Sequence, residues 1–173
     1  SQYPVVADPE DTDVNQAYLQ YKNENFKFTA GRQRIVHNDQ RFIGGVAWRQ
    51  NEQTYDGYRA QFKVNKDLSL DYTYVHNVNR IFGPDGRVGG PAPDLKGNIH
   101  MFNAKYAVNK AHKLALFGYS MDFDTAHGAS NDTIGIRYTG KFDNIGVIAS
   151  YANQTDGGDH PVDFNTNYLN LEV

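Results

Sequence analysis

The sequence predicts an all-β fold, an antiparallel transmembrane β-barrel, and three observations predict it. Segments of about ten residues alternate apolar and polar side chains along the chain, and none reads as a helix. The connections alternate between short turns of Asn, Asp and Lys and long polar loops, the layout of barrels whose strands cross a bilayer. Aromatic residues make up 13% of the 173 residues, yet the mean hydropathy is −0.67. Apolar residues are therefore interleaved with polar ones, and no run approaches the ~18 of a spanning helix.

The elements follow in order. "VNQAYLQYK" (14–22) sets Ala17, Leu19 and Tyr21 against Gln16, Tyr18 and Gln20. "NFKFTAGR" (25–32) sets Phe26, Phe28 and Ala30 against Lys27 and Thr29. "YDGYRAQFKV" (55–64) sets Tyr58, Ala60, Phe62 and Val64 against Arg59, Gln61 and Lys63. "LSLDYTYVHN" (68–77) sets Leu68, Leu70, Tyr72 and Tyr74 against Ser69, Asp71 and Thr73. "IHMFNAKYAV" (99–108) sets Phe102, Ala104 and Tyr106 against Asn103 and Lys105. "KLALFGYSMDF" (113–123) puts Ala115, Phe117, Tyr119, Met121 and Phe123 on one apolar side. "TIGIRYTG" (133–140) sets Ile134, Ile136 and Tyr138 against Gly135, Arg137 and Thr139. "IGVIASYA" (145–152) and "NYLNLEV" (167–173) complete a set of about nine.

The turns "NEN", "NKD", "NKAH" and "KFDN" lie at one end. The long segments 33–53, 79–97, 124–131 and 153–166 lie at the other. This parity requires 33–53 to be one loop, although "FIGGVAWRQ" inside it has some strand character. Polar faces carrying Arg59, Lys63, Asp71, Lys105, Arg137 and Glu172 suit a watered interior, and apolar faces rich in Tyr and Phe suit lipid and its interfaces. A soluble ligand-binding barrel or sandwich is the alternative, with the faces reversed. Nine strands do not close a membrane barrel of even strand number, so the chain reads as the middle of a longer one.

The composition excludes other classes. A net charge of −3 excludes a bulk nucleic-acid binder. The absence of cysteine excludes disulfides and thiolate metal sites and suits an oxidising compartment. No signal peptide is visible, so any targeting segment lies outside this sequence. The six histidines have no metal-type spacing and read as surface or interfacial. The loops 122–132 and 153–163 are rich in Asp and Gly but match no EF-hand, and read as solvated loops. "GRVGG" lacks the context of a phosphate loop. His76 and His100 fall on apolar faces, so no lumenal Ser-His pair is expected, nor enzymatic activity, a metal or a cofactor.

The blocks "GRQRI…DQRF.GGV.WRQNEQT.DG" and "VNRIFGPD", with "LFGYSMDFD" and "DTIGIRYTGKF", resemble the alginate-export family of outer-membrane porins along nearly the whole chain. The resemblance implies an 18-stranded barrel in the outer membrane of a Gram-negative bacterium, with an electropositive lumen. This chain would supply about half the strands, and the remainder of the same barrel would be its partner, together with outer-membrane lipid. The solutes implied are anionic or polar, an acidic polysaccharide such as alginate among them. Residues 33–53 are then expected to be an extracellular-side loop folded inward as a constriction, with 79–97 a long extracellular loop. Arg32, Arg34, Arg41 and Arg49 on the loop, with Arg59, Lys63, Lys105 and Arg137 on the wall, would bind carboxylates. Trp48 and Tyr18 would stack on sugar rings. Asp39, Glu52 and Asp56 are equally placed to pair with those arginines and hold the loop. A third reading is a surface protein whose long loops do the binding.

Overall fold

A computed structural model describes residues 12–49, 51–83 and 92–173. Nine strands form one sheet in chain order, each antiparallel to the next. They are β1 (Ala17–Lys22), β2 (Phe26–Gln33), β3 (Thr54–Lys63), β4 (Leu68–Asn79), β5 (Asp94–Ala107), β6 (His112–Phe123), β7 (Asn131–Phe142), β8 (Ile145–Asp156) and β9 (Asn165–Glu172). The predicted segments all appear, and several run further than the alternation showed: β5 begins at Asp94, five residues before the segment read from sequence. The extra residues lie toward the long loops. Between Gln33 and Thr54 the described residues contain no strand. The middle of segment 79–97, residues 84–91, lies outside the described residues, while Asn79 closes β4 and β5 starts at Asp94.

The short turns share one device. Asn23 Oδ1 accepts from the backbone N–H groups of Asn25 and Phe26 at 3.0 and 2.8 Å. Asn65 does the same for Asp67 and Leu68, and Asn109 for Ala111 and His112. Each asparagine folds the chain back with its own side chain and satisfies two donors before the next strand begins. The fourth turn uses Asp143 at φ 53°, a conformation Asp tolerates.

The register separates two faces. One carries Tyr58, Phe62, Tyr72, Phe102, Leu116, Ile134, Ile136, Tyr151, Leu169 and Leu171, all solvent-exposed in the isolated chain. So many large apolar side chains in one continuous belt need an apolar neighbour. The belt also climbs across the pairing. The cross-strand row that starts apolar at Leu19, Ala30, Tyr58 and Tyr74 continues through His100, Ser120, Asp132 and Thr155. Two rows nearer the turns, Leu70–Ala104–Leu116–Ile136–Tyr151–Leu169 and Leu68–Tyr106–Leu114–Tyr138–Ala149–Leu171 stay apolar to the last strand. An apolar band oblique to the pairing is what tilted strands crossing a flat slab require. Ile136→Lys, in mid-band, is expected to destabilise the folded barrel by about 2–4 kcal/mol in lipid. Urea titration in liposomes would show it. A soluble fold with Ile136 facing water would lose almost nothing.

One expectation is corrected. In β6 the residues Ala115, Phe117, Tyr119 and Phe123 are buried on the other, concave face, not on the belt. Phe117 pairs with Asn103 and Gly135, and Gly118 pairs with Phe102 and Ile134. The stretch Leu114–Phe117 is apolar on both faces, so its alternation cannot choose a side; the neighbouring strands choose it. Gly135 leaves the space that the Phe117 ring occupies. Gly57 sits at the β3–β4 bulge, where any side chain would strike the Tyr74 carbonyl.

The core lies between the concave face and the 34–53 loop. Ile35 and Ile43 of the loop pack with Val75, Val78, Ile99, Met101, Phe117 and Tyr119 of the wall. The Phe42 ring lies 5.4 Å from that of Phe117 and 5.6 Å, edge-on, from that of Tyr168. A single loop reaching β4, β6, β7 and β9 is possible only because the sheet curls around it: strands lie ~4.8 Å apart, so a flat sheet would hold β4 and β9 ~24 Å apart.

Candidate functional site

Strand parity fixes which side chains share the concave face. One row on the concave face reads Lys63–Ser69–Lys105–Ala115–Arg137–Ser150. The row above it reads Lys27–Gln61–Asp71–Asn103–Phe117–Gly135–Ala152. Polar and charged side chains thus gather toward the short turns, and the loop-covered apolar patch lies above them.

Arg59 is the most committed cation. Its Nε and Nη2 donate to both oxygens of Asp71 at 2.6–3.1 Å. Asp71 also accepts from Gln61 Nε2 at 2.9 Å and from the Thr73 hydroxyl at 3.2 Å. His37, carried down by the loop, is buried beside this pair, with Nε2 3.8 Å from Asp71 and Nδ1 3.3 Å from the Tyr119 hydroxyl. Asp71 is partly buried, its side chain 14% exposed, and these partners offset part of the cost of taking its charge out of water.

Two cavities open along this wall below the loop. The first, of about 380 Å³, is lined by Lys27, His37, Arg59, Gln61, Lys63, Asp71, Asn103 and Lys105 among others. The second, of about 520 Å³, is lined by Asp39, Lys66, Lys105, Lys113, Arg137 and Thr139 among others. They share Ser69 and Lys105 and so form one basic track. Arg59, Lys63, Lys105 and Arg137, expected on the wall, are brought together here. Arg137 donates to Asp39 at 2.7 Å and to Ser150 at 2.9 Å, which ties the loop to β7. Lys27 and Lys113 belong to the track as well. Lys27 was legible as the neighbour of Thr29 on the polar face; Lys113 was hidden by the misjudged face of β6.

The loop arginines do not converge on the track. Arg32 alternates with lumenal Gln33, and pairs with Asp56 at 2.9 Å and Asp13 at 3.2 Å near the long-loop rim. Arg34 pairs with Glu52 at 3.4 Å. The Arg41 guanidinium lies 4.9 Å over the Tyr168 ring, and that of Arg49 lies 4.2 Å over Trp48. Asp39, Glu52 and Asp56 each hold one arginine, as their positions in the sequence allowed. Trp48 is largely exposed, away from both cavities. Tyr18 lies on edge strand β1 opposite Gly31 and shares the face of Gln20. His37 departs from the expected surface placement, because its loop has no period from which burial could be read.

Cation chemistry is divided between the two ends. Of nine lysines only Lys96 lies in the long-loop half. The arginines there are planar forks suited to fixed pairing, and the lysines below are hydrated point charges suited to transient contact.

The profile of a family described as alginate export matches residues 2–172. The chain belongs to that family. Its fold is similar to that of solved porins. OccAB4 of Acinetobacter baumannii superposes with a TM-score of 0.62 at 15% identity, over 89% of this chain and 39% of that one. A BenF-like porin from Pseudomonas fluorescens Pf-5 gives 0.61 at 12% identity, over 90% and 42%. OccK8 (OprE) of Pseudomonas aeruginosa gives 0.55 at 15% identity, over 82% and 36%. The chain spans about two-fifths of these porins' length. No curated protein matches it by sequence. These likenesses agree with an exposed belt on the outside of the sheet and a concave inner face.

Proposed function

We propose that this chain forms part of the wall of a passive outer-membrane channel for anionic and polar solutes in a Gram-negative bacterium. Further strands of the same barrel close it against β1 and β9, and the long loops face outward. The observation that carries the reading is the basic track. Lys27, Lys63, Lys105 and Lys113 face the concave side, and none makes an ion pair among the described residues. Unpaired ammonium groups along a pore wall attract anions and repel cations. The family's description favours an acidic polysaccharide among the solutes, whose carboxylates would step from one lysine to the next. Arg137, through Asp39, and Arg41, over Tyr168, hold the 34–53 loop as the constriction above the track. No cofactor and no energy input enter this account.

Reversal potentials of the complete channel across a salt gradient test it. The wild-type channel is expected to prefer anions. The triple variant Lys63→Gln, Lys105→Gln, Lys113→Gln is expected to lower the anion-to-cation permeability ratio roughly two- to fivefold, the scale of local field effects in a charged cleft. An unchanged ratio would sink the proposal.

A further inference from the structure

The outer face carries a hollow that the fold itself does not explain. Gly118 lies mid-strand in β6, on the belt, between Phe102 of β5 and Ile134 of β7. Glycine weakens a strand interior, and it usually marks a bend or a close approach. At Gly57, Gly97, Gly135 and Gly140 the reason is internal, because a side chain would strike an atom of the chain already there. At Gly118 no such reason holds. Its φ lies outside the left-handed region, and a Cβ would have the Thr133 carbonyl oxygen, 3.9 Å away, as its nearest neighbour. The missing side chain opens a shallow hollow of about 460 Å³. Tyr72 and Phe102 wall it on one side and Ile134 on the other, with Ser120, Asp132 and Thr155 at its crown. The Tyr72 hydroxyl and His100 Nδ1 lie 2.8 Å apart with their rings stacked, which fixes that wall.

We infer that this hollow seats one acyl chain of a lipopolysaccharide molecule of the outer leaflet. The inference rests on the belt facing lipid and the long loops facing outward, as proposed above. Width is the first argument. Phe102 and Ile134 stand two strands apart, about 9.6 Å from backbone to backbone. A helix, 10–12 Å across with its side chains, does not enter such a slot; a single hydrocarbon chain does. The order of polarity is the second. Down the outer face of β6 come Ser120, Gly118, Leu116 and Leu114, the order of a lipid from headgroup to tail. The chemistry of the crown is the third. It offers the Asp132 carboxylate and the Ser120 and Thr155 hydroxyls, and no Lys or Arg lines the hollow. Asn153 beside them commits its amide nitrogen to Asn165 and Asn167, at 2.6 and 3.1 Å, which leaves its carbonyl as an acceptor. Such a crown asks for donors. An ester-linked phospholipid presents only acceptors at its neck, whereas the amide-linked hydroxyacyl chains of lipopolysaccharide present N–H and O–H groups there. Lys96, the one lysine of the long-loop half, alternates with Asn98 and His100 and so faces outward, roughly 14 Å beyond His100 along β5. Its ammonium, 3.8 Å from Asp94, is placed for a phosphate of the same lipid.

Native mass spectrometry of the complete channel, incubated in detergent with lipid A or with phosphatidylcholine, reads the bound lipid directly. Phosphatidylcholine has no hydrogen-bond donor. The wild type is expected to keep one lipid A and to bind it about tenfold more tightly than phosphatidylcholine, the effect of one hydrogen bond to a charged acceptor. Gly118→Leu fills the hollow without a clash, so the barrel should fold and keep its heat-dependent shift on a gel. Its affinity for lipid A should fall about tenfold, the loss of contact with roughly two methylenes. Ser120→Ala with Asp132→Ala leaves the hollow open and should abolish the preference between the two lipids. Equal binding of both lipids by the wild type would overturn the inference without any variant. Unchanged lipid A binding by Gly118→Leu would overturn it too; if that variant also lost a dimer or trimer, the occupant would be a second copy of the chain. Anion preference in planar bilayers should be the same in Gly118→Leu and the wild type. Its absence from the wild type would count against the proposed solute path alone, since the hollow lies on the opposite face of the wall.

Discussion

Ile43→Asp is expected to release the 34–53 loop from the wall and raise single-channel conductance. Ile43 is 2% exposed and sits in the apolar cluster that joins loop to wall. A carboxylate there has no partner, and burying it unpaired costs several kcal/mol. The ion pair of Asp39 with Arg137 and the Arg41–Tyr168 contact cannot offset that, since partly exposed pairs contribute about 1 kcal/mol or less each. A cost of ~3 kcal/mol shifts the docked loop by more than a hundredfold toward release. Conductance should then rise at least about twofold, and the loop should become sensitive to added protease. Ile43→Val removes one methylene, costs roughly 0.5–1.5 kcal/mol, and should leave the loop docked. Wild-type conductance from the aspartate variant would mean that the loop does not narrow the pore.

The second large effect is at Arg59. Removing its side chain leaves Asp71, partly buried beneath the loop, with Gln61 and Thr73 as its remaining close partners. Arg59→Ala is expected to destabilise the barrel by about 1–3 kcal/mol, the cost of leaving a partly buried carboxylate without its main partner. Arg59→Leu with Asp71→Leu should recover most of that loss, because no charge is then left unpaired. Urea titrations of the wild type, both single variants and the double variant would show this coupling. Additive losses would mean that Asp71 reaches water and that the pair adds little.

Much of this fold is written in the alternation. The strands with one clean apolar face, at Tyr58–Val64, Leu68–Tyr74 and Phe102–Tyr106, have the faces in the structure that they have in the sequence. Their period of two is enforced by lipid on one side and water on the other. β6 is the exception, and the reason is physical. Phe117 and Tyr119 face a lumen that is dry because the loop covers it, so both faces of the strand are apolar and the periodicity carries no sign. The wall cations were legible for the same reason the strands were: Arg59, Lys63, Lys105 and Arg137 stand opposite apolar neighbours. The loop was legible in its existence and its ion pairs but not in its contacts. Its positions follow no repeat, and Asn38, Gln40 and Val46 take positive φ values of 50°, 64° and 50° that no pattern announces. A β-branched residue in that conformation is held by its surroundings and not by its own preference. The burial of His37 and Asn103 together depends on where that irregular chain lies.

The assignment of faces underlies everything else, and this sequence has no cysteine, so an introduced thiol reports one site. Single cysteines at positions 63, 105 and 137, and at 62, 106 and 136, would be treated in intact outer membranes with a small, charged, membrane-impermeant thiol reagent, on a background free of other cysteines. Reaction at 63, 105 and 137, with none at 62, 106 and 136, is the predicted result. The reverse parity, or equal labelling of both sets, would contradict a watered lumen on the concave face and the channel built on it.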